Sequence, residues 1–255
     1  KESMTASQAV AAMRAGVFAV LPDAECVGVP MADGGEGTVD AVVDALDGTR
    51  VTVEVSDALG RPVRADYGYV AGRRLAVIEM AAASGLELVA PGDRNVLRAS
   101  TFGVGQLIAS ALDHGATELL IGLGGSATND GGTGMLTARG AMLTDADGAE
   151  LPPGGAALAR LHRVDVSGLD SRLADVRIRI ASDVTAPLLG TCGASAVFGP
   201  QKGATPTDVQ TLEAALTRLA EVTGKTLGPA RPELPGAGAA GGLGYALVEF
   251  LGAEC

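Results

Sequence analysis

The feature that most constrains the fold is a repeated change of hydrophobic period along the chain. Val51, Val53 and Val55 alternate with polar residues before a Gly-Arg-Pro turn at 60–62, which predicts a β-hairpin reaching residue 70. Apolar runs predict buried strands over 75–80 and 118–122, the segment 176–181 is strand-like, and a short strand is expected at 25–29. Apolar residues spaced three or four apart predict helices over 39–46, 101–114 and 206–224, with others beginning near Thr5, Thr133 and Gly244.

Strands and helices that alternate in this way define the α/β class. Thr5 and Gln8 have capping-box spacing, and Gly16 and Pro22 are expected to end the first helix. The chain has 37 glycines, no Trp and only 3% aromatic residues. This composition fits a sheet packed on helices through small side chains, and it excludes an aromatic platform for stacking bases.

The net charge of −11 argues against a nucleic-acid or anionic-membrane partner, because such partners need a positive footprint. Any phosphate site must therefore rely on a local group of positive charges or N–H donors. Apolar runs such as 119–123 are far shorter than a bilayer requires, so we expect a cytoplasmic protein. Three widely spaced cysteines suggest neither a disulfide framework nor a zinc site. With only two histidines, a catalytic triad that needs a histidine base is not favoured.

The first candidate site is the strand-to-helix loop from Asp33 to Thr38. Gly34 and Gly35 allow a ligand to approach the backbone, and the following helix start offers N–H groups to an anion. Asp33 and Glu36 can hold a cation directly or through water. The alternative is that the two acids only cap the helix, where acids are favoured.

The second candidate is the loop over 122–132, which follows a buried strand and precedes a helix. Ligands of open α/β sheets sit at the carboxyl ends of strands, so position and composition agree. The loop matches neither the dinucleotide pattern nor a P-loop. Its expected ligand contacts are Gly124, Gly125, Ser126, Asn129 and Asp130.

The third candidate combines Asp183, which follows a strand, with Gln201 and Lys202 just beyond. Asp183 can accept a substrate hydroxyl proton or bind Mg²⁺, and Lys202 can neutralise a phosphate or a carboxylate. The alternative is an Asp that caps a turn and a surface Lys. A fourth stretch over 236–244 predicts an anion nest through Gly238, Gly241 and Gly242, or else a hinge or tight helix packing.

Phosphoryl transfer suits these residues, because its loose transition state is stabilised by positioning, Mg²⁺ and fixed positive dipoles. Six blocks in order then resemble the signatures of bacterial glycerate kinases. They are M-A-D-G-G-E-G-T (31–38), I-E-M-A-x-A-S-G-L (78–86), G-G-S-A-T-N-D-G-G (124–132), S-D-V-T-x-P-L-x-G (182–190), F-G-P-Q-K-G-A (198–204) and G-A-G-A-A-G-G-L-G (236–244).

The resemblance implies transfer of phosphate from ATP, with Mg²⁺, to D-glycerate, usually at the 2-hydroxyl and otherwise at the 3-hydroxyl. It implies catalytic roles for Asp183, Lys202 and Asp33, metal contacts from Asp33, Glu36 and Asp183, and substrate or nucleotide contacts from Lys1 and Thr38 besides the glycine loops. A homodimer is a possible assembly, and neither a nucleic-acid partner nor a membrane partner is expected.

The resemblance also implies two α/β domains, one of them flavodoxin-like (Rossmann-like) and built from both chain ends. We assign 1–48 plus 249–255 to that domain and 49–248 to the second. The first strand and the C-terminal part of the family fold are expected to be missing. Ala186 stands where the family usually has Asn. A competing hypothesis is therefore an impaired fragment that only binds phosphate or nucleotide.

Overall fold

A five-stranded mixed sheet forms the centre of the computed structural model, which describes residues 4, 6–29 and 34–254. Its strand order is β1-β2-β3-β4-β7, and a separate pair, β5 and β6, is antiparallel. The strands are β1 Thr49–Ser56, β2 Pro62–Val70, β3 Leu75–Glu79, β4 Glu118–Gly122, β5 Met142–Thr144, β6 Arg163–Asp165 and β7 Arg177–Ala181.

Helices pack on both faces of the sheet, although the first helix buries none of its residues. The helices are α1 Ala6–Val20, α2 Thr38–Leu46, α3 Ala81–Ser84, α4 Phe102–Asp113, α5 Thr133–Ala138, α6 Ala194–Phe198, α7 Pro206–Leu227 and α8 Leu243–Leu251. Short 3-10 helices occur at Ala71–Arg73, Leu86–Leu88, Pro91–Asp93, Gly155–Arg160, Ser171–Asp175, Pro200–Lys202 and Ala239–Gly242. The α/β class is confirmed, and so are the predicted hairpin, the strands at 75–80, 118–122 and 176–181, and the helices at 39–46, 101–114 and 206–224.

Side chains of the strands alternate between two apolar layers. On β3, Leu75 and Val77 face the helix α2, while Ala76 and Ile78 belong to the larger core. This larger core includes apolar residues of α4, α5, α7 and α8. Because both faces are largely buried there, β3 and β4 are nearly continuous apolar runs rather than alternating patterns.

Two predictions for the N-terminal region are wrong. The described residues at 25–29 form no strand, because within the described chain no neighbouring strand pairs with them. Helix α1 ends at Val20, just before Pro22 as predicted, but it continues through Gly16, since glycine inside a helix costs only about 1 kcal/mol relative to alanine. The expected cap residue Thr5 lies outside the described residues.

The assignment of residues to two domains stays a prediction. Helix α2, from the first predicted domain, packs through Val39 on Val70, Leu75 and Val77 of the central sheet. Among the described helices, none combines the length and the apolar character that crossing a membrane requires.

We predict that Ile121→Ala destabilises the fold by about 2–5 kcal/mol, because Ile121 is 0% exposed on the central strand β4 and its truncation leaves a cavity. Urea unfolding measures this change. Met142→Ala on β5 is the control: Met142 is 50% exposed, so its free energy of unfolding should change by no more than about 0.5 kcal/mol. Equal losses in the two variants would contradict this account of the core.

Candidate active site

Three loops emerge together at one edge of the sheet because β3, β4 and β7 are parallel. The strand register aligns Glu79 with Gly122, and Gly122 with Ala181, so each strand ends at the same level. Carboxyl ends of parallel strands are the usual ligand sites of open α/β sheets. The loops that follow β4 and β7 are the second and third sites predicted from the sequence.

The first predicted loop joins this edge through direct backbone contact. The N–H of Gly124 donates a hydrogen bond of 3.1 Å to the carbonyl oxygen of Gly34. A Cβ atom on Gly124 would lie 2.6 Å from Cα of Gly35, and one on Gly122 would collide with the carbonyl of Gly34. Gly34 has a φ of 86°, and a Cβ there would collide with the Ala181 carbonyl. Only glycine allows these chains to approach so closely.

A cavity of about 500 Å³ opens where these loops meet, and we call it the active-site cavity. Five predicted site residues line it: Gly35, Glu36, Gly124, Gly125 and Asp183. Glu79 and Glu87 add two carboxylates that the sequence analysis did not select. Among the described residues the cavity thus combines glycine backbone with four carboxylates, and carboxylate oxygens are ligands that Mg²⁺ prefers.

Glu79 has a defined structural role at this edge. Its Oε1 accepts a hydrogen bond of 2.8 Å from the N–H of Val39, in the first turn of α2. Burial raises the pKa of the Glu79 carboxyl, although that hydrogen bond opposes the shift. The start of α2, predicted to offer N–H groups to a ligand, is therefore already occupied by Glu79. The sequence contains a sign that Glu79 lies at the site, since Glu79 ends a buried strand within one of the six sequence blocks.

Asp130 lies in the interior rather than in the cavity, with 0% exposure. Its Oδ2 accepts hydrogen bonds from the N–H (2.8 Å) and the hydroxyl (2.9 Å) of Thr101 and from the N–H of Gly134 (3.1 Å). Burial raises the pKa of Asp130, and these hydrogen bonds oppose the shift. Asp130 therefore ties the starts of α4 and α5 to the loop, and the structure does not bring it to the cavity.

Lys202 is buried next to the same loop, with 2% exposure, so it is not the surface lysine of the alternative reading. Its Nζ donates hydrogen bonds of 2.7 Å to Oγ of Ser126 and 2.7 Å to the carbonyl of Thr128. Burial lowers the pKa of the Lys202 ammonium to about 7, and nearby Asp130 opposes the shift. These contacts hold the loop in place, and a direct contact between Lys202 and a ligand stays a prediction.

Other predicted residues also hold the loops from inside. The side-chain amide of buried Asn129 donates a hydrogen bond of 3.0 Å to Oγ of Ser195. The hydroxyl of buried Thr38 donates a hydrogen bond of 2.7 Å to the carbonyl oxygen of Gly35. Neither Asn129 nor Thr38 lines the active-site cavity.

The fourth glycine stretch is part of the core. The N–H of Gly131 donates 2.9 Å to the carbonyl of Gly241, and a Cβ on Gly242 would lie 2.7 Å from Cα of Gly131. A Cβ on Gly238 would collide with the carbonyl of Pro187. Tight packing, one of the two alternatives, thus accounts for Gly238, Gly241 and Gly242, which do not line the active-site cavity.

The last three predicted residues lie outside the active-site cavity or outside the described residues. Gln201 is exposed and lies outside the active-site cavity. Its backbone carbonyl accepts a hydrogen bond of 3.4 Å from the guanidinium of Arg94. Lys1 and Asp33 lie outside the described residues. Within the part of the chain that is described, no cluster of three or more His, Cys, Asp or Glu residues can hold a metal ion by itself.

Comparison with known proteins identifies the family. The model of the glycerate kinase family matches residues 1–255. The chain is 51% identical over 254 residues to a glycerate kinase of Bacillus subtilis and 51% identical over 254 residues to a glycerate 2-kinase of Escherichia coli. The chain belongs to the glycerate kinase family. It spans about two thirds of the length of these relatives, 66% and 67%, while each match covers 100% of this chain.

A solved structure of the same enzyme family agrees with the fold. A protein of Salmonella typhimurium LT2, provisionally described as glycerate kinase 2, superposes with a TM-score of 0.93 at 51% identity. The match covers 100% of this chain and 69% of the Salmonella chain. The sequence resemblance to the glycerate kinase family is therefore confirmed.

We predict that Lys202→Met changes how stability depends on pH. The pKa of Lys202 is lower in the folded chain than in the unfolded one, so the unfolded state binds more protons above pH 7. The wild type should gain stability relative to Lys202→Met as pH rises from about 7 to about 10, by about 1 kcal/mol per pH unit. Urea unfolding at several pH values measures the difference.

Lys225→Met is the matched control, because Lys225 is exposed near the end of α7. Its free energy of unfolding should follow the wild type at every pH. A constant difference between Lys202→Met and the wild type across this range would show that the Lys202 ammonium is not destabilised by burial.

Proposed function

We propose that this chain carries the phosphotransfer site of a D-glycerate kinase, which moves the γ-phosphate of ATP to D-glycerate. The single observation that carries the proposal is the active-site cavity, where glycine backbone and four carboxylates meet at the ends of parallel strands. Relatives named glycerate kinase match this chain over its whole length, which favours transfer over the alternative of a fragment that only binds.

We place the nucleotide phosphates beside Gly124 and Gly125. Glu79 already occupies the start of α2, so this helix end is closed to a phosphate. The glycine backbone at 124–125 lines the cavity and has no side chain to keep a phosphate away. The buried contacts of Lys202 and Asp130 fix the continuation of this loop, and such rigidity favours transfer because positioning supplies much of its rate.

The carboxylates argue for a metal-bound nucleotide rather than a free one. Glu36, Glu79, Glu87 and Asp183 line one cavity, and like charges there repel unneutralised phosphates. Mg²⁺ binds to few protein carboxylates and keeps its other positions for water and phosphate oxygens. We propose that Glu36 and Asp183 hold the ion, and that Asp33 belongs to the same group. Bound Mg²⁺ supplies charge neutralisation on the phosphates.

Asp183 is the proposed acceptor of the glycerate hydroxyl proton if it does not hold the metal. It is exposed and lies just after β7, at the cavity wall. A carboxylate within reach of the attacking hydroxyl orients the oxygen and removes its proton. We keep both roles for Asp183. The cytoplasmic location, the homodimer and a ligand contact from Lys1 stay predictions.

We propose the 2-hydroxyl as the acceptor, because the Escherichia coli relative is named a glycerate 2-kinase. Enolase without a mutase reports this product, since enolase dehydrates 2-phosphoglycerate but not 3-phosphoglycerate. A rise in ultraviolet absorbance on mixing the chain with ATP, Mg²⁺ and D-glycerate is expected. ADP release that gives this absorbance only after a mutase is added would assign transfer to the 3-hydroxyl. Absence of ADP release would overturn the proposed activity.

We predict that Asp183→Asn lowers kcat by about 10² or more, the usual scale for loss of a base. ADP release in the presence of D-glycerate measures kcat. Asp175→Asn is the control, because Asp175 is exposed just before β7 and does not line the active-site cavity. Wild-type kcat in Asp183→Asn would remove Asp183 from the proposed chemistry.

We predict that Gly124→Ala lowers kcat/KM by about 10²-fold. The new Cβ would lie 2.6 Å from Cα of Gly35, so the loop that carries Glu36 must move away. Gly72→Ala is the matched control, because no atom lies within 4 Å of a Cβ added there. If Gly124→Ala keeps the kinetics of Gly72→Ala, the contact between the glycine loops is unnecessary for the site.

A further inference from the structure

A second cavity of about 510 Å³ lies apart from the active-site cavity. Its lining is mainly apolar and includes Phe102, Leu151 and Leu158, together with the consecutive residues Pro152 and Pro153. Sites for small organic molecules have volumes of about 300–1,000 Å³ and mainly apolar linings with a few polar groups. The second cavity has the size and the composition of such a site.

A thin apolar wall separates the two cavities. Leu59 lines the second cavity and Leu86 lines the active-site cavity. Both leucines pack on one small buried cluster, Ala58, Val89, Ala99 and Ala127. A molecule in the second cavity is therefore outside the proposed phosphotransfer site and does not compete for its carboxylates.

Among the described residues, Arg98 is the one cation in the lining of the second cavity. Its side chain is exposed, and none of the described residues forms an ion pair or a side-chain hydrogen bond with its guanidinium. The segment that crosses it packs closely on its backbone: a Cβ on Gly154, which follows the two prolines, would lie 2.5 Å from Cα of Arg98. The backbone of Arg98 is thus held against the cavity wall while its charge remains available.

The two acids of the lining are already engaged. Buried Asp57 accepts hydrogen bonds from Nε of Arg61 (2.6 Å) and from the N–H groups of Leu59 (2.8 Å) and Arg61 (2.9 Å). Asp93 lies 3.8 Å from the same guanidinium. Both acids therefore pair with Arg61 and not with Arg98, whose guanidinium has no charged partner among the described residues.

We propose that the second cavity is a binding site for a small organic carboxylate with an apolar, planar body. The body occupies the apolar lining, and the carboxylate receives a bidentate contact from the Arg98 guanidinium, whose fork of N–H donors matches carboxylate geometry. The site is separate from the phosphotransfer site, and its occupation does not depend on catalysis.

The test uses 4-(trifluoromethyl)benzoate and its neutral analogue 4-(trifluoromethyl)benzamide, each titrated with the 255-residue chain and followed by fluorine NMR. The benzoate should bind saturably at one site. Arg98→Gln should weaken benzoate binding by about tenfold and leave benzamide binding unchanged, because the substitution removes only the charge-assisted contact. Arg64→Gln, which removes an exposed arginine on β2, should change neither affinity.

A second variant tests the cavity itself. Thr137 is exposed and lines the second cavity, so Thr137→Trp should obstruct it and abolish binding of both probes without disturbing the core. Saturating ATP with Mg²⁺ should leave benzoate binding unchanged. Equal benzoate binding in wild type and Arg98→Gln, undiminished binding in Thr137→Trp, or displacement by ATP would each overturn the proposal.

Discussion

The proposed site depends on the backbone contact between the loop at 34–37 and the loop after β4. Gly124 donates a hydrogen bond to the Gly34 carbonyl, and the glycines at 34, 122 and 124 leave no room for a Cβ atom. This contact carries Glu36 to the edge where Glu79 and Asp183 already lie at the ends of β3 and β7. Without it, the sheet would still form, but the acids would not share a cavity.

The loop after β4 is held by buried polar groups, and their energetics favour a single conformation of this loop. Asp130 and Lys202 lose hydration, which raises the pKa of the acid and lowers that of the base. Their hydrogen bonds to Thr101, Gly134, Ser126 and Thr128 offset part of this cost. A buried polar network of this kind is costly to break, so it favours one loop conformation.

The fold class and most elements could be predicted because the hydrophobic pattern of a segment reflects its burial, as the apolar runs of β3 and β4 show. The glycine loops were also recognisable. Side-chain burial was not recognisable, because nothing in the sequence shows that Asp130 and Lys202 are buried. Glu79 was overlooked because its partner, the start of α2, is 40 residues away along the chain. The strand expected at 25–29 failed because strand formation requires a partner that the period of one segment cannot report.

The most direct test of the account is a crystal structure of the chain with a non-hydrolysable ATP analogue, Mg²⁺ and D-glycerate. The account predicts that the γ-phosphate lies beside Gly124 and Gly125, with the ion near Glu36 or Asp183 and the glycerate hydroxyl facing the same cavity. Phosphates bound in the second cavity, or away from the ends of β3, β4 and β7, would contradict it.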